Sequence, residues 1–169
     1  MKPLKLLTYF FLFILTLIII LFLIRLVLPR EVDDVTPFID CSEELIEKSD
    51  VLWIIPKFDG KSILEEEGWC EKILSYNKEL GLHGVYHEYR EFSVTRDEEY
   101  LQEGIDIFEE CFGFKPKKFK PPQLKINKQN KELVFKMGMD LELNFNQFFH
   151  KVYHCEDTGK FKNSWIDVF

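Results

Sequence analysis

The sequence predicts an α/β domain with parallel strands, carried behind one transmembrane helix. Three observations predict it. An uncharged apolar run opens the chain, and short apolar segments then alternate with amphipathic ones. Aromatic residues make up 15% of the 169 residues, 17 of them Phe, enough to supply a packed core. The length suits one domain of modest size.

From Leu6 to Ile24 the sequence LLTYFFLFILTLIIILFLI carries no charge. At 1.5 Å per residue it is about 30 Å long, the thickness of a bilayer's hydrocarbon layer. Apolar residues occupy every face, whereas a core helix keeps a polar stripe. IRLVLPRE follows, with no small-residue cleavage site, which argues against a removable signal peptide. Residues 1–30 therefore read as an uncleaved anchor and residues 31–169 as the domain. Lys2, Lys5 and the amino terminus precede the span, while Arg25 and Arg30 follow it beside Glu31, Asp33 and Asp34. That balance favours the N-terminus inside and residues 31–169 outside the cytoplasm.

The elements of the domain follow in order. LVLPREVDDV predicts a short strand ending at the paired acids, and CSEELIEKS a helix with Ser42 as N-cap. DVLWIIP, apolar and closed by proline, predicts a buried strand. KSILEEEGWCEKILSYNKELG has helical spacing, interrupted at Gly68 and stopped by Gly81. LHGVYH predicts a short strand running into a loop. RDEEYLQEGIDIFEECFG predicts a helix that ends at Gly113. KKFKPP is a strand that its prolines stop, and NKQNKELVFKMGM a helix capped by Asn127. LELNFNQFFHKVYHCED holds one or two strands.

Setting Lys2, Lys5, Arg25 and Arg30 aside from 22 basic residues leaves residues 31–169 with 18 basic against 29 acidic, a net charge of −11. Such a surface repels phosphate backbones, so nucleic acid is not expected as a partner. FKPKKFK is a basic cluster within it, either a seat for an anionic head group or a solvated loop. Cys41, Cys70, Cys111 and Cys155 show no C-x-x-C spacing, against a four-cysteine zinc site. They are either two disulfides, in any of three pairings, or four buried thiols. Trp53, Trp69 and Trp165 read as core rather than sugar platforms, and Asp59 as a turn residue.

In parallel α/β layouts functional side chains collect at the C-terminal ends of strands. Asp33–Asp34, His83–His87, Pro121–Pro122 and His150/His154 all fall at or just past predicted strand ends. His83 and His87 are four apart, with Gly84 between them to let a loop fold. Two imidazoles and one aspartate make a three-ligand set that suits zinc and leaves a fourth position for water. A spare carboxylate nearby can take that water's proton. Glu91 is either a carboxylate that orients a ligand histidine or a surface residue.

These segments carry a resemblance. The order VDDV, LWIIP, GLHGVYHEYREF, YLQEGIDIFEECFGFKPKKFKPPQL, YHCED resembles the polysaccharide deacetylase superfamily (carbohydrate esterase family 4-like), and looks closest to its branch of uncharacterised predicted deacetylases. The likeness spans most of residues 31–157. It implies a distorted (β/α) barrel, here short or incomplete at 139 residues. It implies Asp33 as catalytic base, with Asp34, His83 and His87 holding a divalent metal, zinc above others. It implies a late histidine as acid. His150 and His154 both qualify, and YHCED favours His154. The family's groove arginine has no counterpart, since KKFKPP offers Lys118 and Lys120, and a lysine is a point charge rather than a bidentate fork.

The expected function is a membrane-anchored, metal-dependent deacetylase that removes N-acetyl groups from a sugar. The alternative is a non-catalytic, anchored glycan-binding or scaffold domain on the same fold. Few residues separate the span from Asp33. At ~3.3 Å per extended residue the site lies within about 30 Å of the bilayer, which points to a lipid-linked or cell-surface glycan.

Overall fold

The computed structural model describes residues 3–157 and 162–168. Lys2, on which the orientation of the anchor partly rests, lies outside them.

Helix α1, Pro3–Val27, is long and apolar enough to cross a membrane. Its span is not buried against the domain, as a core helix would be. Pro29 breaks the chain into strand β1, Arg30–Val35, which is buried from Glu31 onward. Helix α2, Glu43–Lys48, returns to β2, Val51–Ile54, whose four residues are all buried. Ser42 occupies the N-cap of α2, but its side chain makes no capping hydrogen bond.

A two-residue hairpin follows, β3 at Lys57–Phe58 and β4 at Lys61–Ser62. Asp59 and Gly60 turn it, both with positive φ (50° and 78°), the type I′ geometry that Asp-Gly favours. The turn at Asp59 is as expected, whereas strands this short leave no pattern in the sequence.

The segment 61–81 is interrupted at Gly68, as expected, but it is not helical throughout. It breaks into a 3₁₀ turn at Ile63–Glu65, helix α3 at Trp69–Ser75, and strand β5 at Glu79–Leu82. Gly81 is therefore a strand residue and not a helix stop. Trp53 explains why. It faces residue 81 across the β2–β5 pair, and a Cβ there would lie 2.3 Å from the indole. The strand expected at LHGVYH thus begins earlier, and residues 83–87 form the loop.

Helix α4, Glu98–Phe112, starts at Asp97, whose side chain accepts from the Tyr100 N–H, and ends at Gly113 in the left-handed region. Its buried face is Leu101, Ile105, Phe108 and Phe112, spaced four, three and four residues apart. Each side chain withdrawn this way contributes about 1.5–3 kcal/mol. Strand β6, Lys118–Phe119, is followed by α5, Lys128–Lys136, with Asn127 as its N-cap. Strand β7, Asp140–Leu141, helix α6, Asn144–Phe149, strand β8, Lys151–His154, and helix α7, Asn163–Val168, complete the chain. The last expected strand region thus holds two strands with an unexpected helix between them.

The six main strands order as β7-β6-β5-β2-β1-β8, and every neighbouring pair is parallel. This is the α/β architecture, with β7 and β8 left as the two edges among the described residues. Among the described residues the sheet does not close into a barrel, in keeping with the incomplete one expected. All four cysteines pair, Cys41 with Cys155 and Cys70 with Cys111. The second bond joins α3 to α4. Of the tryptophans, Trp53 is in the core and Trp69 packs at its margin, whereas Trp165 is exposed. The basic cluster is dispersed: Lys118 pairs with Glu79 and Lys115 with Glu109, while Lys120 is fully buried.

Candidate functional site

The site begins with an irregularity in β1. Adjacent strand residues normally face opposite sides of a sheet. Here the β1–β2 register shifts between Val32 and Val35, and Asp34 takes φ 67°. The bulge breaks the alternation, and both Asp33 and Asp34 end up buried. A left-handed residue other than glycine costs of order 1–3 kcal/mol, a cost often found where a side chain must be aimed.

The loop after β5 brings two imidazoles to Asp34. Its Oδ1 lies 2.9 Å from His87 Nε2 and 3.4 Å from His83 Nε2. The two rings stand 5.0 Å apart. One donor atom from each of the three residues falls within 4.8 Å of the others. His83 Nδ1 lies 2.9 Å from the Lys120 carbonyl, which can only accept. That fixes one N–H on Nδ1 and points Nε2 at Asp34, to which it donates when protonated. Burial opposes charge on Asp34, but the hydrogen bonds and charges of His83 and His87 hold its carboxyl well below the usual range. Burial likewise opposes charge on His83, and Asp34 with Asp33 outweighs it, so its pKa is raised. A carboxylate between two imidazole nitrogens is the field a divalent cation would meet on displacing their protons, and the donor set fits one.

Glu91 holds this loop, though not as expected. The sequence offered it as a partner for a ligand imidazole or as a surface carboxylate. It is completely buried and grips backbone instead. Oε1 accepts from Val85 N–H (2.8 Å), Tyr86 N–H (3.0 Å) and the Tyr100 hydroxyl (2.8 Å). Oε2 accepts from His87 N–H (3.0 Å). Gly84 is required beside it. Its φ is +70°, and a Cβ would lie 2.4 Å from Glu91 Oε2 and 2.7 Å from Pro122.

Beneath Asp33 lies a charge cluster that the sequence reading did not assemble. The Lys120 ammonium donates to Asp33 Oδ1 (2.6 Å) and Glu31 Oε2 (3.1 Å), and lies 5.3 Å from the centre of the Trp53 ring. Trp53 Nε1–H also donates to Glu31 Oε2, at 2.8 Å. His150 Nδ1 closes on Glu31 Oε1. Lys120 is fully buried, yet its pKa is raised, because Asp33 and Glu31 outweigh the cost of burial. One signal was available: Glu31 and Asp33 are two apart on a strand, so they share a face.

Glu31 makes the cluster sensitive to acid. Burial opposes its charge, but His150, Lys120 and Trp53 prevail and hold it at about 2, against 4.5 when unpaired. Its stabilisation is therefore complete above pH 4.5 and lost as pH falls toward 2. Urea unfolding on either side of that window should show wild type losing about 3 kcal/mol more than Glu31→Gln.

His154 and His150 separate cleanly. His154 ends β8 opposite Asp33, with Nε2 3.8 Å from Asp33 Oδ2 and its buried Nδ1 without a hydrogen-bond partner. His150 precedes β8 at the other end of the sheet and serves Glu31. A cleft of about 350 Å³ starts at Val35 and Thr36, directly after Asp34, and runs past Asp40, Glu66, Trp69 and Lys72. Thr36 Oγ1 is buried there without a partner.

No family model and no curated protein matches the sequence. Solved structures do. A CE4 family pseudoenzyme from Bacillus anthracis is similar at 17% identity and TM-score 0.48, over 55% of this chain and 32% of that one. A putative polysaccharide deacetylase from Mycobacterium smegmatis is similar at 22% identity and TM-score 0.43, over 53% and 30%. The peptidoglycan deacetylase PdaC from Bacillus subtilis is similar at 18% identity and TM-score 0.48, over 68% of this chain and 58% of that one. The chain therefore spans between about a third and three fifths of the length of the solved structures it matches.

Proposed function

We propose that this chain is a membrane-anchored, metal-dependent deacetylase that removes N-acetyl groups from a cell-surface or lipid-linked sugar. The observation that carries the reading is the convergence of Asp34, His83 and His87, with a second carboxylate, Asp33, beside them. Asp34 Oδ1, His83 Nε2 and His87 Nε2 would hold the ion. Bound there, zinc or another divalent metal supplies a Lewis acid for the amide carbonyl and makes water more acidic.

The chain's own groups do the rest. Asp33 is the base. Lys120 occupies Oδ1, which leaves Oδ2 to take the proton from the attacking water. His154 Nε2, near that oxygen, is the acid that returns a proton to the departing amine. The amide and water thus become acetate and a free amine. The cleft beyond Thr36 offers the sugar a place to lie. Helix α1 supports the anchor. The pairing of all four cysteines supports an oxidising compartment, and so a domain outside the cytoplasm.

The test uses the full chain in detergent. Wild type loaded with zinc should retain one ion per chain and release acetate from N-acetylglucosamine oligomers, and His83→Ala/His87→Ala should do neither. Wild type that retains no ion, or a double variant equal to it, would overturn the reading. The second reading, a glycan-binding domain without turnover, is favoured by one observation, the unpartnered Nδ1 of His154, which leaves the acid without a group to orient it. Glycan binding that survives Asp33→Asn, with no acetate released by wild type, would select it.

A further inference from the structure

We propose that helix α6 and the basic residues around it form a foot that rests in the interfacial layer of the bilayer that α1 crosses. This rests on the anchor reading. The last two turns of α1 are covered on one face only, at Leu21, Ile24, Arg25 and Leu28. That spacing of three, four and seven residues is one helical stripe. Helix α6 packs on α1, and the Arg25 guanidinium donates to the Phe148 carbonyl at 2.7 Å. The contact falls where the uncharged run ends, which is the level of the lipid head groups.

What α6 exposes there is unsuited to water. Its sequence, NFNQFF, has no charge, although residues 31–169 carry −11. Phe145 is 74% exposed and Phe148 56%. Both rings pack on Phe149, at 4.4 and 5.1 Å, which holds them out as one apolar tip. Charge agrees with the same occupant. Arg25, Arg30 and Lys48 lie close enough to Lys151 to act on it electrostatically, with Asp167 as the acid among them. An apolar tip with Arg25 bonded to its helix, and further cations at the starts of β1 and β8, is what an interfacial segment presents, rings toward the acyl boundary. The occupant is therefore the phospholipid surface beside α1.

The experiment places the full chain in phosphatidylcholine vesicles with and without bromine on the acyl chains near the head group. Tryptophan emission is read after subtracting wild type. Phe148→Trp should be blue-shifted and quenched severalfold by the brominated lipid. Val94→Trp, at an exposed loop position ahead of α4, should be unaffected. A chain that alkaline carbonate extracts would overturn the anchor and the foot together. A chain that resists extraction, with Phe148→Trp unquenched, would overturn the foot alone. If that unquenched chain also dimerised with concentration, the face would belong to a second copy.

Discussion

Lys120→Met should destabilise the domain by about 3–5 kcal/mol, read as a lower urea midpoint at neutral pH. Methionine fills much the same volume, so the loss is electrostatic. The ammonium touches Glu31 and Asp33, which are 2% and 4% exposed. Without it two carboxylates share a dry site with no cation between them. The sequence reading set this lysine aside as a poor stand-in for a bidentate arginine. Its buried position gives it a different task, since a point charge suits two carboxylates on one side and an indole face on the other. Adding Glu31→Gln to Lys120→Met should recover part of the loss, since the two residues form one network. A change below about 1 kcal/mol would show that the cluster is not the charged unit described.

Glu91→Ala should act on both fold and site. Three backbone N–H groups and the Tyr100 hydroxyl lose their acceptor together. Each orphaned buried donor costs about 1–3 kcal/mol, and partial access of water to the loop should limit the total to about 4 kcal/mol. The same loop carries His87, which itself sits at φ 57°. Its imidazole should wander, and zinc affinity should fall about 10–100-fold, the usual effect of losing a group that orients a ligand. Titration with a chromophoric chelator measures this directly. Tyr100→Phe removes only one of the four bonds and should keep most of the affinity. Equal affinity in Glu91→Ala and wild type would mean that the loop holds its shape by other contacts.

How much of this could be read from the sequence depends on the range of the forces involved. Helix α4 was legible because its start, stripe and stop are local: Asp97, the four apolar residues and Gly113. So was α5, with Asn127 as its cap. Strand β5 was not. Glu-Leu-Gly-Leu has little strand propensity, and it extends an apparently helical pattern. What makes it a strand is Trp53 lying flat over Gly81, a contact between residues 28 apart. Helix α6 was missed for the same reason, since it is held by α1 from the opposite end of the chain.

The candidate metal residues were legible because their types and order carry the chemistry, and two of the three lie four residues apart. Their support was not. Glu31 reaches Lys120 across 89 positions and His150 across 119. No window along the chain joins those residues. Glu91 was noticed, but its partners could not be guessed, because a sequence says nothing about which backbone amides a carboxylate will meet.

The uniform direction of the strands has a consequence for reach. Strand β1 leaves the end of α1 and all its neighbours run alongside it, so the acidic and imidazole groups stand at the far end. From Arg30 to Asp34 the rise is about 13 Å at 3.3 Å per residue. On the proposed anchoring, that rise would set the height of Asp33 and Asp34 above the end of α1. On the proposed function, the stalk would act as a gauge, setting the height over the membrane at which a sugar meets the site.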